Sequence, residues 1–195
     1  MKFNLFSLTV LIALSSALPA ISQTLPDGEL RTLTNKEDSL KILADSMINA
    51  EQAGARFRAD SNFVRTLVRA LQVKNSFRYP FDSVRTVSRL YAPDSSFRLF
   101  TWQLKKDQYM YLQKGAIQMR TSDGSLKLFP LFDVSMFTAH PEDSVRTNES
   151  WIGAIYYKIL LKTFKGKPYY TLLGFDDYSE ISNRKWIDVL HFDKG

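Results

Sequence analysis

Phe97-Arg-Leu-Phe-Thr-Trp-Gln-Leu104, Lys105-Lys-Asp107 and Tyr109-Met-Tyr-Leu-Gln-Lys-Gly-Ala-Ile-Gln-Met119 follow one another in mid-chain. The first and third segments are rich in aromatic and branched apolar residues, and the second is polar and turn-forming. That pattern predicts two antiparallel strands joined by a short turn. Ser122-Asp123-Gly124 holds an Asp-Gly pair suited to a tight hairpin. Leu126–Phe132 then returns beside the second strand, with Pro130 at an edge or bulge and Gly115 at a bulge or a point of close packing. Further strands are predicted over Trp151–Phe164, Lys167–Phe175 and Lys185–Phe192. A polar loop separates them at 133–150, the Lys165-Gly166 turn follows, and an acidic turn-rich loop occupies 176–183.

Upstream of Pro93 the apolar period is helical. Leu40, Leu43, Met47 and Ala50 form one stripe, with Thr34 or Asn35 as cap and Glu37 and Asp38 in the first turn. Gly54 ends or weakens this helix. Ser61 is placed to cap a second, whose stripe is Phe63, Val64, Leu67, Val68 and Leu71. Asp82–Leu90 reads as a third, short helix, stopped by Pro93-Asp94. Helices first and strands after give an α+β domain: two or three N-terminal helices packed on a mostly antiparallel meander sheet of about six strands. Residues 34–195 are expected to form one domain, helical over 34–92 and β-rich over 94–195. Residues 23–33, with Pro26, Gly28 and no period, are expected to be a disordered lead-in.

The N-terminus sets the compartment. Lys2, an apolar run over Leu5–Leu14, small residues at Ser15–Ala17 and Pro19 precede an A-x-S arrangement at Ala20–Ser22. This is the order of a secretory signal peptide, residues 1–22, cleaved near Ser22. The apolar run of about ten residues is too short for a spanning helix of about 20. No later apolar stretch is long enough, so no transmembrane segment is expected after cleavage. The chain has 195 residues, no cysteine and a net charge of +6. A cysteine-free secreted domain fits the periplasm or medium of a bacterium better than a disulfide-stapled eukaryotic route, although Asn148-Glu149-Ser150 has the form of a glycosylation sequon. The basic residues are dispersed, and Arg56, Arg58, Arg65 and Arg69 read as a solvated helix face, so no nucleic-acid partner is expected.

Four blocks of the chain carry a resemblance. They are Leu90-Tyr-Ala-Pro-Asp-Ser-Ser-Phe-Arg-Leu-Phe-Thr-Trp-Gln103, Lys114-Gly-Ala-Ile-Gln-Met119, Tyr169-Tyr-Thr-Leu-Leu-Gly-Phe175 and Ser182-Asn-Arg-Lys-Trp-Ile-Asp-Val-Leu-His-Phe192. Over roughly residues 60–195 the chain resembles an uncharacterised family of secreted Gram-negative bacterial proteins with no assigned activity. Similar chains often have a tryptophan and Asp-Gly after Leu-Leu-Gly, where this one has Phe175-Asp176-Asp177. They also run on past the last strand, which implies a sheet here that lacks its closing strands. The resemblance implies no catalytic residue.

Little in the sequence argues for catalysis. There are two histidines, His140 in the polar loop and His191 in the last strand, and no metal-ligand spacing, nucleophile elbow or phosphate-binding loop. No catalytic residue, metal or cofactor is expected. Asp176, Asp177 and Glu180 form an acidic cluster in one predicted loop, with Asp188 further on. It reads as a solvated turn, with calcium binding or acid–base work as alternatives. Tyr and Trp residues fall on or beside the strands, and adjacent pairs such as Tyr156-Tyr157 and Tyr169-Tyr170 must face opposite ways. The bland reading makes them a two-sided core. The functional one puts Trp102, Tyr157 and Tyr170 on an exposed sheet face beside Asp176 and Asp177, suited to an envelope glycan or peptide. The chain is therefore expected to be a non-enzymatic binding domain. The alternative is an envelope hydrolase using Asp176, Asp177 and His191, and a third possibility is a structural protein pairing through a bare final edge.

Overall fold

A computed structural model describes residues 25–138, 140, 145–179 and 182–192. The expected signal segment and Glu180 lie outside these residues. Two helices come first, α1 (Asp27–Asn49) and α2 (Ala53–Leu71), joined by three residues as a helical hairpin. Both begin earlier than the sequence signals placed them. Residues 27–33, expected as disordered lead-in, are the first turns of α1. Pro26 sits at its N-cap, Asp27 and Glu29 complement the helix dipole, and Leu33 lies seven residues before Leu40 on the buried stripe. Thr34 and Asn35 are consequently interior. Gly54 lies in the first turn of α2 rather than at the end of α1, and Ser61 is mid-helix, its hydroxyl donating to the Phe57 carbonyl at 3.1 Å.

The expected third helix does not form. Ser88–Tyr91 is strand β1, reached through turns in which Phe81 has a φ of 55°. A three-residue apolar step serves a turn as well as a helix: Val84 and Val87 are buried among the helices. The remaining strands are β2 (Phe97–Lys105), β3 (Tyr111–Met119), β4 (Lys127–Leu131), β5 (Ile155–Phe164), β6 (Lys167–Ser179) and β7 (Ser182–Leu190). All pairings between them are antiparallel, but they form two sheets, β1-β2-β3-β4 and β5-β6-β7, not one meander of six. Gly115 is a close-packing point with no bulge, since an added Cβ would lie 2.9 Å from the Phe100 carbonyl.

The split into two sheets follows from β2. Its side chains are buried on both faces along most of its length. Phe100, Trp102 and Leu104 pack on α1 and α2, while Phe97 and Leu99 pack with Trp151, Tyr156, Ile159, Tyr170 and Leu172. One sheet under one helical layer would leave the second set in water. The chain after β4 therefore crosses over: Phe132 donates to the Asn148 carbonyl at 2.8 Å and Val134 to that of Trp151 at 2.7 Å. Gly153, at φ 70°, completes the bend and β5 arrives beside β1 and β2. There the Ser88 hydroxyl donates to the Tyr156 carbonyl, and the Tyr156 N–H donates to Thr101 Oγ1 at 3.1 Å. The result is three layers, with helices, the four-stranded sheet and the three-stranded sheet stacked in that order.

Candidate functional site

The aromatic row expected on one exposed face does not exist. Trp102 lies in the helix-side core, its ring 5.2 Å from that of Phe63. Tyr170 lies in the core between the sheets, its hydroxyl donating to Asp94 Oδ2 at 2.7 Å. Tyr157 alone is exposed, beside a register shift in β5. The three occupy three different surfaces because a strand sends successive side chains to opposite faces and β2 is covered on both.

Asp176 and Asp177 are not in a solvated loop. β6 continues through them, with Asp176 opposite Arg184 on β7. Asp176 is buried and points toward the four-stranded sheet, where Gln113 Nε2 donates to its Oδ1 at 2.8 Å. Gln103 Nε2 lies 3.4 Å from Asp177 Oδ2. Burial pushes the Asp176 carboxyl above the ordinary range; the Asp133 and Asp177 charges push the same way, while Gln113 and Arg184 oppose them. Asp188, another inward-facing carboxyl, accepts from the Tyr156 hydroxyl, which accepts from Trp151 Nε1–H at 3.0 Å. Burial raises both Asp188 and Tyr156. His191 stacks on Tyr169 with ring centroids 5.7 Å apart. Asp176 is seven residues along β6 from Tyr169, about 20 Å at strand rise. The three side chains considered for hydrolysis therefore do not meet. Among the described residues no group of three or more His, Asp or Glu is placed to hold a metal, and His140 is an exposed loop residue.

The cavity best suited to a ligand lies elsewhere, between α2 and the β3–β4 edge, with a volume of about 390 Å³. Val64, Leu67, Val68 and Leu71 form its helical wall, and Trp102, Leu112 and Leu128 part of the facing one. Gln113 and Asp133 make a polar corner, with Asp176 behind them. Gln113 Oε1 and Trp102 Nε1 are both buried without a partner. At the mouth, Phe132, Met136 and Phe137 are exposed. The cavity is open because β4 is short. It pairs with Gly115–Met119, so among the described residues Tyr111–Lys114 of β3 have a neighbouring strand on the β2 side alone. Lys114 is held at the helix wall by Asp60, Nζ to Oδ2 at 2.6 Å. Sequence reasoning missed this site. The available signal was three large apolar residues, Phe132, Met136 and Phe137, in and beside a segment read as a polar loop.

Comparison of the chain with family models, with curated proteins and with solved structures gives no match. No helix among the described residues is long and apolar enough to cross a membrane.

Proposed function

We propose that the protein is a secreted or periplasmic binding module that captures an extended apolar peptide segment, without catalysing a reaction on it. The observation that carries this is the juxtaposition of an apolar cavity with a bare stretch of strand edge. An added strand gains main-chain hydrogen bonds from the edge, while alternate side chains enter pockets beside it. The cavity volume lies within the range of small-ligand sites, and its lining is mostly apolar with a few polar groups, as such sites require. The compartment rests on the signal-like N-terminus and on the resemblance to secreted Gram-negative proteins.

Screening the full protein against displayed short peptides tests this. We expect enriched sequences with apolar residues at alternate positions. Binding should fall by about tenfold or more when Val68→Trp fills the cavity, since a lost apolar anchor typically costs a tenfold factor or more. Peptides that bind Val68→Trp equally well would overturn the site. So would an apolar dye that enters the cavity in a protein for which no peptide is enriched.

A further inference from the structure

Among the described residues, no layer covers the outer face of the β5-β6-β7 sheet. Register places Lys158, Leu173 and Ile187 in one row across the three strands, and Leu160, Thr171 and Val189 in the next. Rows of an antiparallel sheet share a face, so these side chains stand together on the side away from the inter-sheet core. Ile187 is 74 % exposed, Val189 64 % and Leu160 44 %, and the register makes them, with the half-buried Leu173, neighbours in two adjacent rows of one face, an apolar strip. At the β5–β6 tip, Phe164 is 60 % exposed between the sheet and Lys165.

Among the described residues the exposed charge on this face has one sign. Lys158, Lys162 and Lys185 stand on the outer face, and Lys165 and Lys167 at the tip, all of them exposed. The sheet's carboxylates with described side chains are Asp176, Asp177 and Asp188, and their contacts run inward or toward the four-stranded sheet: Asp176 to Gln113, Asp177 to Gln103, Asp188 to Tyr156. Every one of those outer cations is a lysine. Lysine is a point charge on a flexible stem, whereas arginine is favoured where a carboxylate or phosphate is read with fixed geometry. The face therefore combines apolar strip, aromatic flanks at Tyr157 and Phe164, and unspecific positive charge.

We propose that this face docks the protein onto a membrane carrying anionic phospholipid, with the apolar strip at the acyl boundary and the lysines among the headgroups. Apolar area and basic charge act together in such binding. A second copy of the chain fits less well, because a two-fold contact would set lysine against lysine across the apolar strip. The docking face lies on the far side of the outer sheet from the α2 cavity, so the inference stands apart from the peptide-binding reading.

Cosedimentation of the full protein with phosphatidylcholine vesicles, with and without phosphatidylglycerol, decides the matter. We expect binding only to the anionic vesicles, weakening as salt is raised. The triple variant Lys158→Glu, Lys162→Glu, Lys185→Glu should lose about a hundredfold in partitioning, given the usual contribution of a basic residue at an anionic surface. Ile187→Asp should also lose binding, with thermal unfolding unchanged because the side chain is exposed. Val68→Trp, which fills the cavity, should bind vesicles normally. Absence of binding, equal binding to uncharged vesicles, or undiminished binding by the triple variant would each overturn the proposal. Light scattering that shows a dimer abolished by Ile187→Asp would assign the face to a second copy and overturn it too.

Discussion

Asp176 shows how the surroundings of a single side chain can differ from those its sequence neighbours suggest. In sequence it adjoins another aspartate and a turn-forming stretch, which reads as a hydrated loop. In the fold it faces the neighbouring sheet and accepts from Gln113. Its pKa is raised, mainly by burial, and Asp188 is raised for the same reason. A carboxyl with a raised folded-state pKa holds its proton more tightly when folded than unfolded. Its folding penalty is absent below the unfolded value near 3.9 and develops as pH rises from there toward the raised value. Stability should therefore decline over that window. Asp176→Asn keeps an acceptor for Gln113 and removes the charge. We expect its melting temperature to equal or exceed that of the wild type at neutral pH, with the advantage vanishing at about pH 4. Thermal unfolding followed at several pH values checks this. A variant that melts lower at neutral pH and equally at acid pH would mean that the Asp176 charge is stabilising. Arg98 presents the opposite case. It is completely buried without a carboxylate partner, donating to Gln118 Oε1 at 2.8 Å and to the Ser76 carbonyl at 2.9 Å. Burial holds its pKa down to about 10, still high enough to keep it charged.

At the scale of elements, the parts governed by local periodicity were legible and those governed by tertiary contact were not. The strands β2 to β7 stand where alternation and turn residues put them, within a few residues, because side-chain period and turn chemistry are local properties. The β6–β7 boundary was misplaced since Asp176 and Asp177 look like loop residues until Gln113 and Gln103 are opposite them. The third helix failed because Val84 and Val87 reach their buried positions through turns. Of the cavity only the apolar mouth, Phe132, Met136 and Phe137, has a sequence signal; its opening depends on β4 ending before the full length of β3 is paired, which no residue in either strand announces. Arg56 illustrates the same limit. Its spacing with Arg58, Arg65 and Arg69 suggests a solvated face, yet it is buried. It donates to the Ala50 and Glu51 carbonyls at 2.8 Å and to the Lys105 carbonyl at 2.6 Å. One side chain thus satisfies the end of α1 and pins the α1–α2 joint to the β2–β3 hairpin. Arg56→Ala removes the donor from four partly buried carbonyls, those of Ala50, Glu51, Lys105 and Lys106, and we expect a loss of about 2–4 kcal/mol in urea denaturation. Arg56→Lys should recover little, because an ammonium group cannot reach carbonyls on both sides of the joint as a planar fork does. Full rescue by lysine would show that charge alone is needed there.

At the scale of the whole molecule, the four-stranded sheet is the layer on which both others depend. Phe100, Trp102 and Leu104 are covered by α1 and α2, and Phe97 and Leu99 by the outer sheet, so β2 loses an apolar face to water if either layer leaves. The helical half cannot stand alone either, since Leu33, Leu40, Phe63 and Leu67 share that core. Each large apolar side chain that returns to water forfeits about 1.5–3 kcal/mol, and several lost together exceed the 5–15 kcal/mol by which a domain is ordinarily stable. The layers should accordingly unfold as one unit. A fragment starting at Ser76 retains every strand but lacks both helices. We expect it to bind an apolar dye strongly, to lose the near-ultraviolet signal of packed aromatics, and to melt without a cooperative transition. The intact protein should show a single transition by both probes. If the fragment instead melts cooperatively, the inter-sheet core around Tyr156 and Tyr170 is self-sufficient, and the helices serve chiefly to build the α2 wall of the cavity.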